Sequence, residues 1–334
     1  MSVSESKQKK VVVIGGGTGT MAVLSGLKQY PDLDLHVIVS MTDDGGSNKI
    51  VRDEFGLLPL SDLRKSIIAL SDSEDQILRQ LFTYRFEKGN GLSGHTLGNL
   101  MMVALADITG SEHAAVEAAR RLFKVKGKVI PVTLHQTKLV AEYDDGDRVE
   151  GEHFIDEPEE NWNRRIKSLI LSENVPAHKE AIDAISSADF IVAGPGDLYT
   201  STLANIIVDG VAQAIQQSKG KFIFVNNLMT KKGQTHGMKA SHLVNEMSKY
   251  TGRVPDVVLQ HAGNFHEDVL KKYQERGEHP VHDDLESPSS FDVIRVSLTH
   301  DGEVEKDKGD TLVRSLIRHD AKKLSDALYK IFHS

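Results

Sequence analysis

Four glycines, Gly15, Gly16, Gly17 and Gly19, follow directly on the β-branched run Val11–Ile14. That pattern suits phosphate chemistry. A strand buried on both faces would feed a turn whose glycines let the backbone approach a phosphate closely. A helix starting near Met21 would point its unpaired N–H groups, with their partial positive charge, at the same place. The dinucleotide fingerprint G-x-G-x-x-G/A fits in one register only, Gly17, Gly19 and Ala22. The plain alternative is a tight β–α turn without a ligand.

Acidic residues supply a second chemistry. The strand expected over Leu35–Met41 runs into TDDGGSN, Thr42–Asn48. Asp43 and Asp44 would then stand at the carboxyl end of a strand beside the glycine turn, where open parallel sheets bind ligands. As a pair they suit Mg²⁺, which takes one or two carboxylates together with ligand phosphates. Asp43 alone suits a ribose hydroxyl, and both also suit a solvated turn. A nicotinamide dehydrogenase is disfavoured, because Asp43 falls 26 positions after Gly17 where the fingerprint places its acid about 20 on. Asp62 opens a predicted helix, Ser61–Leu70, where it also serves as a favourable first-turn charge.

GPGDLYTS, Gly194–Ser201, follows a predicted strand, Asp189–Ala193. Gly194 and Gly196 flank Pro195, and Thr200, Ser201 and Thr202 bring hydroxyls. Two separate glycine loops suit a diphosphate, or a nucleotide joined to a second polar group, and a plain turn is the competing reading. Asn226 and Asn227 end the strand Phe222–Val225 and begin the polar loop NNLMTKKGQTHG. His95 begins a helix, but the histidine spacings form no zinc signature. G-x-S-x-G and H-E-x-x-H are both missing, so serine-hydrolase and zincin readings have no support.

The elements that must hold these loops alternate along the chain. Helices are expected over Glu74–Phe86, Leu100–Ala106, Glu112–Phe123, Ala181–Ser187, about Leu203–Gln217, Glu267–Arg276 and Asp320–Phe332. Further strands are expected at Val257–Gln260 and Val293–Val296. The alternation predicts an α/β fold with a doubly wound, mostly parallel sheet. The texture changes after Gly127. Lys128–Thr133 and Leu139–Tyr143 read as strands, and Asp144–Asp147 is a hairpin turn before Val149. With the acidic stretch Asp156–Glu160, this marks a small β-rich insertion at 127–175 within a single domain spanning 10–332, after a disordered tail at 1–9.

Composition sets the outer limits. The 334 residues are 39% hydrophobic and 26% charged, ordinary for a soluble globular protein. A net charge of −8 disfavours a nucleic-acid partner. The absence of cysteine removes disulfides and thiolate chemistry. No run of about 20 apolar residues predicts a membrane span, and MSVSESKQKK lacks the apolar core of a signal peptide.

Taken together, VVVIGGGTGT, TDDGGS, GHTLGN, GPGDLYTS and the late Arg318-His319-Asp320 resemble the YvcK/CofD-like family, closest to its bacterial YvcK branch of gluconeogenesis and morphogenesis factors. The likeness runs from about Lys10 to Phe332. It implies a Rossmann-like fold in a cytoplasmic protein that binds a UDP-sugar such as UDP-N-acetylglucosamine. The implied role is support of cell-wall synthesis and cell shape during gluconeogenic growth. That role implies cell-wall-synthesis or regulatory protein partners and leaves homo-oligomer formation open. CofD relatives are instead 2-phospho-L-lactate transferases that use Mg²⁺, so whether the chain is an enzyme stays open. Binding alone requires no cofactor.

By the same resemblance, the nucleotide-sugar site includes Gly15, Gly16, Gly17, Thr18, Gly19, Thr42 and Asp43, with Tyr273 and Arg318, and the glycine loop and strand end described above add Gly194, Gly196, Thr200 and Asn226 as candidates. Asp43, Asp44 and Asp62 fall where the transferases hold metal. Two stretches depart from the family: SNKIVR, Ser47–Arg52, stands for SSGRLR, and PLSDLRK, Pro59–Lys65, stands for PPGDIRN.

Overall fold

A computed structural model describes residues 8–45, 48, 55, 57–72, 76–158, 164–286, 290–300 and 316–334. Gly46, Glu159, Glu160 and, apart from Asn48, the departure Ser47–Arg52 lie outside the described residues. So do residues 1–7 of the expected tail. Lys9, assigned to that tail, opens the first strand instead and pairs with Leu33.

Strand β1, Lys9–Ile14, is an interior strand of a seven-stranded sheet. Its residues Val11–Ile14 are fully buried, as a β-branched run covered by helices on both faces must be. One flank holds β2, Leu33–Val39, then β3, Lys128–Pro131. The other flank holds β7, Phe190–Ala193, β8, Lys221–Val225, β9, Val257–His261, and β10, Asp292–Val296. Every pairing in this sheet is parallel. The chain builds outward through β2 and β3 and then returns to β1's other side with β7. That reversal opens a crevice at the carboxyl ends of β1 and β7, the ligand position of doubly wound sheets.

A separate antiparallel sheet has the order β5-β4-β6, from β4, Leu139–Tyr143, β5, Arg148–Glu150, and β6, Ile166–Leu171. Lys128–Pro131, expected inside this patch, is instead the parallel edge strand of the main sheet. Its Val129 and Ile130 are buried beside β2, so its apolar run faces helices rather than a hairpin partner.

The helices used below are α1, Gly17–Leu27, α2, Ser61–Leu70, α3, Gln76–Thr83, α4, Leu97–Thr109, and α5, Glu112–Leu122. They continue as α6, Glu152–Asp156, α7, Lys179–Ser186, α8, Val211–Gln217, α9, Ala240–Thr251, α10, Glu267–Gln274, and α11, Ala321–Phe332. The single helix expected over Leu203–Gln217 is broken. A π-helical turn, Leu198–Leu203, starts straight from the second glycine loop and runs into Ala204–Ile206. Gly210, at φ +93°, interrupts it before α8. α9 was not anticipated, although Leu243, Val244 and Met247 form a buried helical stripe there. Among the described residues no helix is long and apolar enough to cross a membrane.

α1 packs against α11, and the approach depends on Gly26. A Cβ at Gly26 would stand 2.3 Å from the Ala321 carbonyl oxygen and 2.6 Å from the Ser325 Cβ. Gly26→Ala must push the two helices apart. The expected loss is about 1–3 kcal/mol by urea unfolding, with the far-UV spectrum unchanged.

Candidate functional site

The first glycine loop continues β1: Gly15 N–H donates to Ile38 O at 3.2 Å, and α1 begins at Gly17. Gly17 has φ +69°, a left-handed conformation that glycine adopts without strain. The second loop continues β7 in the same way, with Gly194 N–H donating to Ile14 O at 3.0 Å. The two loops touch. A Cβ at Gly19 would lie 2.4 Å from Pro195 O, and one at Gly196 would lie 3.2 Å from Gly16 O. Thr20 Oγ1 donates to Gly16 O at 3.1 Å inside this contact. The structure therefore brings Gly15, Gly16, Gly17, Thr18, Gly19, Gly194 and Gly196 together, with Thr18 exposed.

Carboxylates form one wall of the crevice. Asp62, in the first turn of α2, accepts the Gly17 N–H at 3.3 Å and pairs with Lys65 at 3.0 Å. A Cβ on Gly16 would be 2.2 Å from Asp62 Oδ2, so this carboxylate lies directly on the glycine turn. It holds a donor that the sequence reading reserved for phosphate. Asp43 accepts from Gly45 N–H at 3.0 Å. Burial first, and then the neighbouring Asp62, push the Asp43 carboxyl up to about 6. Lys65 is held above the ordinary lysine value chiefly by Asp62 and stays charged.

Asp44 turns elsewhere. Its Oδ1 accepts the His153 N–H at 2.9 Å at the start of α6, so it fastens the acidic loop to the antiparallel unit. In that arrangement Asp43 and Asp62, which influence each other electrostatically, are the two aspartates whose oxygen chemistry would suit a hard divalent ion. A cation between them would offset the Asp62 charge, which after burial is what raises Asp43.

α6 contributes two acids that sequence reasoning missed. Glu152 is raised well above the glutamate range by burial, then by Asp156 and Asp43. Asp156 takes Lys231 as an ion partner, accepts from Thr200 Oγ1 at 3.0 Å and from Gln234 Nε2 at 3.3 Å. Lys231 also reaches Asp197 at 2.6 Å. The Thr200 hydroxyl is thus engaged by Asp156, and the buried Thr42 hydroxyl pairs with Ser40 at 2.8 Å. The only sequence signal for Lys231 was its place in a polar loop after a strand. Glu152 and Asp156 lay in the segment read as an insertion.

Asn226 is buried: its Nδ2 donates to Gln260 Oε1 at 2.8 Å and its Oδ1 accepts Asn227 N–H at 3.1 Å. Asn227, not Asn226, reaches the second glycine loop, donating to Gly196 O at 2.6 Å. Tyr273 is 2% exposed and its hydroxyl accepts the Ile317 N–H at 3.0 Å. Burial pushes that hydroxyl up to about 12. The segment carrying Arg318 is anchored here on one side. On the other, His319 meets the Asn226 backbone and is lowered by burial to about 3, hence neutral. Tyr273 accordingly supports Arg318. Asn99 of GHTLGN likewise supports α2 by accepting Arg64 Nε at 3.1 Å.

A family model described as 2-phospho-L-lactate transferase CofD matches residues 11–299. The chain is 36% identical over 324 residues to a gluconeogenesis factor of Halalkalibacterium halodurans, covering 96% of each chain. It is 35% identical over 324 residues to the gluconeogenesis factor of Bacillus subtilis, covering 96% of this chain and 98% of that one. A crystal structure of a Bacillus halodurans protein superposes with a TM-score of 0.87 at 36% identity, over 97% of this chain and 100% of that one.

The raised Asp43 has a stability consequence. An aspartate with a folded value above its unfolded one favours folding when protonated. Its contribution is present below about pH 4 and is lost as pH rises through about 6. Asp43→Asn removes that loss. Without ligand the variant should melt about 2–4 °C higher at pH 7.5, on the order of 1 kcal/mol, with the difference closing toward pH 4. Scanning calorimetry across this range checks it.

Proposed function

Because the chain belongs to the CofD-like family, in its gluconeogenesis-factor branch, we propose that it binds a nucleoside diphosphate sugar of the UDP-N-acetylglucosamine type in the crevice between β1 and β7. In this reading it is a cytoplasmic regulator that supports cell-wall synthesis and cell shape on gluconeogenic carbon sources, acting through protein partners. The observation that carries the proposal is the contact of two glycine loops at the point where the strand order reverses, Gly19 against Pro195. Backbone N–H groups from two strand ends there can share one diphosphate, as at other helix N-termini.

The carboxylates govern how such a ligand enters. Asp62 already accepts from Gly17 N–H, and Asp43 and Glu152 stand near it, with Lys65 as the adjacent cation. Acceptors of this kind suit the donor hydroxyls of a ribose or a sugar. The diphosphate itself needs a compensating charge from Lys65, a metal ion or protonated acids. Arg318 supplies a planar fork of donors for a diphosphate or a uracil carbonyl, a geometry lysine lacks.

A second reading, a CofD-type phospholactate transfer, rests on the mutual approach of Asp43 and Asp62. Mg²⁺ held there would supply charge neutralisation at the ligand phosphates. Asp44, bound to His153, is the least suited of the three candidate ligands.

Calorimetry with UDP-N-acetylglucosamine tests the proposal. Arg318→Ala should weaken binding about 10- to 100-fold, equivalent to about 1.4–2.7 kcal/mol, and Arg318→Lys should restore part of it. Tyr273→Phe should weaken binding less and also lower stability by about 1 kcal/mol, because Ile317 N–H loses its acceptor. Equal affinity in all proteins removes Arg318 from the site, and turnover of a phospholactate donor by the wild type replaces the regulator with the transferase.

A further inference from the structure

Beside the edge strand β3, three side chains with metal-ligating chemistry converge, and none belongs to the crevice. His113 lies in the first turn of α5, His178 immediately precedes α7, and Glu180 lies in the first turn of α7. One donor atom from each falls within 4.8 Å of the other two. The backbone fixes this meeting. His178 N–H donates to Val132 O at 2.7 Å just past β3, and its ring meets His113 edge-on with centroids 5.5 Å apart. Glu180 is steered by Lys128 of β3, which holds Oε1 at 2.8 Å and leaves the second oxygen for another partner.

Two imidazoles and one carboxylate are a donor set for a borderline ion rather than a hard one. Mg²⁺ and Ca²⁺ favour oxygen alone, whereas Zn²⁺ takes His₂Glu with a fourth position for water. Donors bonded at about 2.0–2.1 Å in a tetrahedral site stand about 3.3 Å apart. Closing the cluster to that distance takes side-chain rotation, most readily of the exposed His113. His178 adds an independent sign: its Nδ1 is buried and finds no hydrogen-bond partner among the described residues. Buried ring nitrogens of metal-binding histidines are normally engaged, either by the ion or by a supporting acceptor.

We propose that His113, His178 and Glu180 bind a divalent transition ion, Zn²⁺ foremost, and that the ion clasps α5 to α7 across the edge of the main sheet. Lys128 competes with the ion for Glu180, which sets the affinity below that of a closed structural zinc site. The proposal is independent of the nucleotide-sugar reading.

The test is calorimetric titration of the full-length, chelator-treated protein with Zn²⁺, with Co²⁺ absorption as a probe of geometry. One Zn²⁺ should bind per chain, and Co²⁺ should give the visible bands of a tetrahedral nitrogen–oxygen site. His113→Gln, an exposed substitution that leaves the core alone, and Glu180→Gln should each weaken Zn²⁺ at least tenfold. Lys128→Gln should tighten it a few-fold, an effect that a cluster held only by its own hydrogen bonds would not show. Absence of binding overturns the proposal. So does equal affinity in wild type and His113→Gln, which would assign the ion to others of the 15 histidines.

Discussion

Gly19 has no space for a side chain, because a Cβ there would stand 2.4 Å from the Pro195 carbonyl oxygen. The rest of the crevice depends on that contact. It is possible only because β1 and β7 are neighbours in the sheet though far apart in sequence, so that both strand ends release their loops on the same side. Gly17, at φ +69°, then starts α1 with its N-terminus facing the opening. Thr20 and Asn227 lock the two loops from behind, donating to Gly16 O and Gly196 O.

Charge completes what backbone geometry begins. Asp62 anchors the first loop through Gly17 N–H, while burial, and then the Asp62 charge, push the Asp43 carboxyl up to about 6. Such crowding costs the free protein stability as the carboxyls ionise, and perturbed acids of this kind cluster at functional sites generally. The small antiparallel sheet belongs to this arrangement. Asp44 binds the His153 N–H of α6, and Lys231 joins Asp156 of α6 to Asp197 of the second glycine loop. Through these two links the unit read as an insertion delivers Glu152 to the crevice.

Much of the frame was legible in the chain. Val11–Ile14 followed by glycines marked β1 and its turn, and Ser61–Leu70 forms the helix its pattern predicted. Period and punctuation are local properties, and they located nearly every strand of the main sheet. What escaped was set by tertiary context. Lys128–Pro131 looked like part of a hairpin region, yet strand pairing across the sheet edge decides its membership. Asn226 carried the right chemistry at the right strand end, but its side chain turns inward to Gln260 and the adjacent Asn227 faces the loop. Glu152 and Lys231 bear no motif, since their meaning arises only when α6 and the β8 loop come together. Tyr273 shows the intermediate case: the resemblance marked it, and its buried hydroxyl on Ile317 gives it a physical task beside Arg318.

The central claim is that one diphosphate lies between the two glycine loops. A crystal structure of the protein with UDP-N-acetylglucosamine tests it most directly. The account predicts density for the diphosphate within hydrogen-bond distance of backbone N–H groups from both Thr18–Gly19 and the Gly194–Gly196 loop, with Arg318 turned toward the nucleotide. A nucleotide sugar bound elsewhere on the chain, or a diphosphate contacting neither glycine loop, would contradict it.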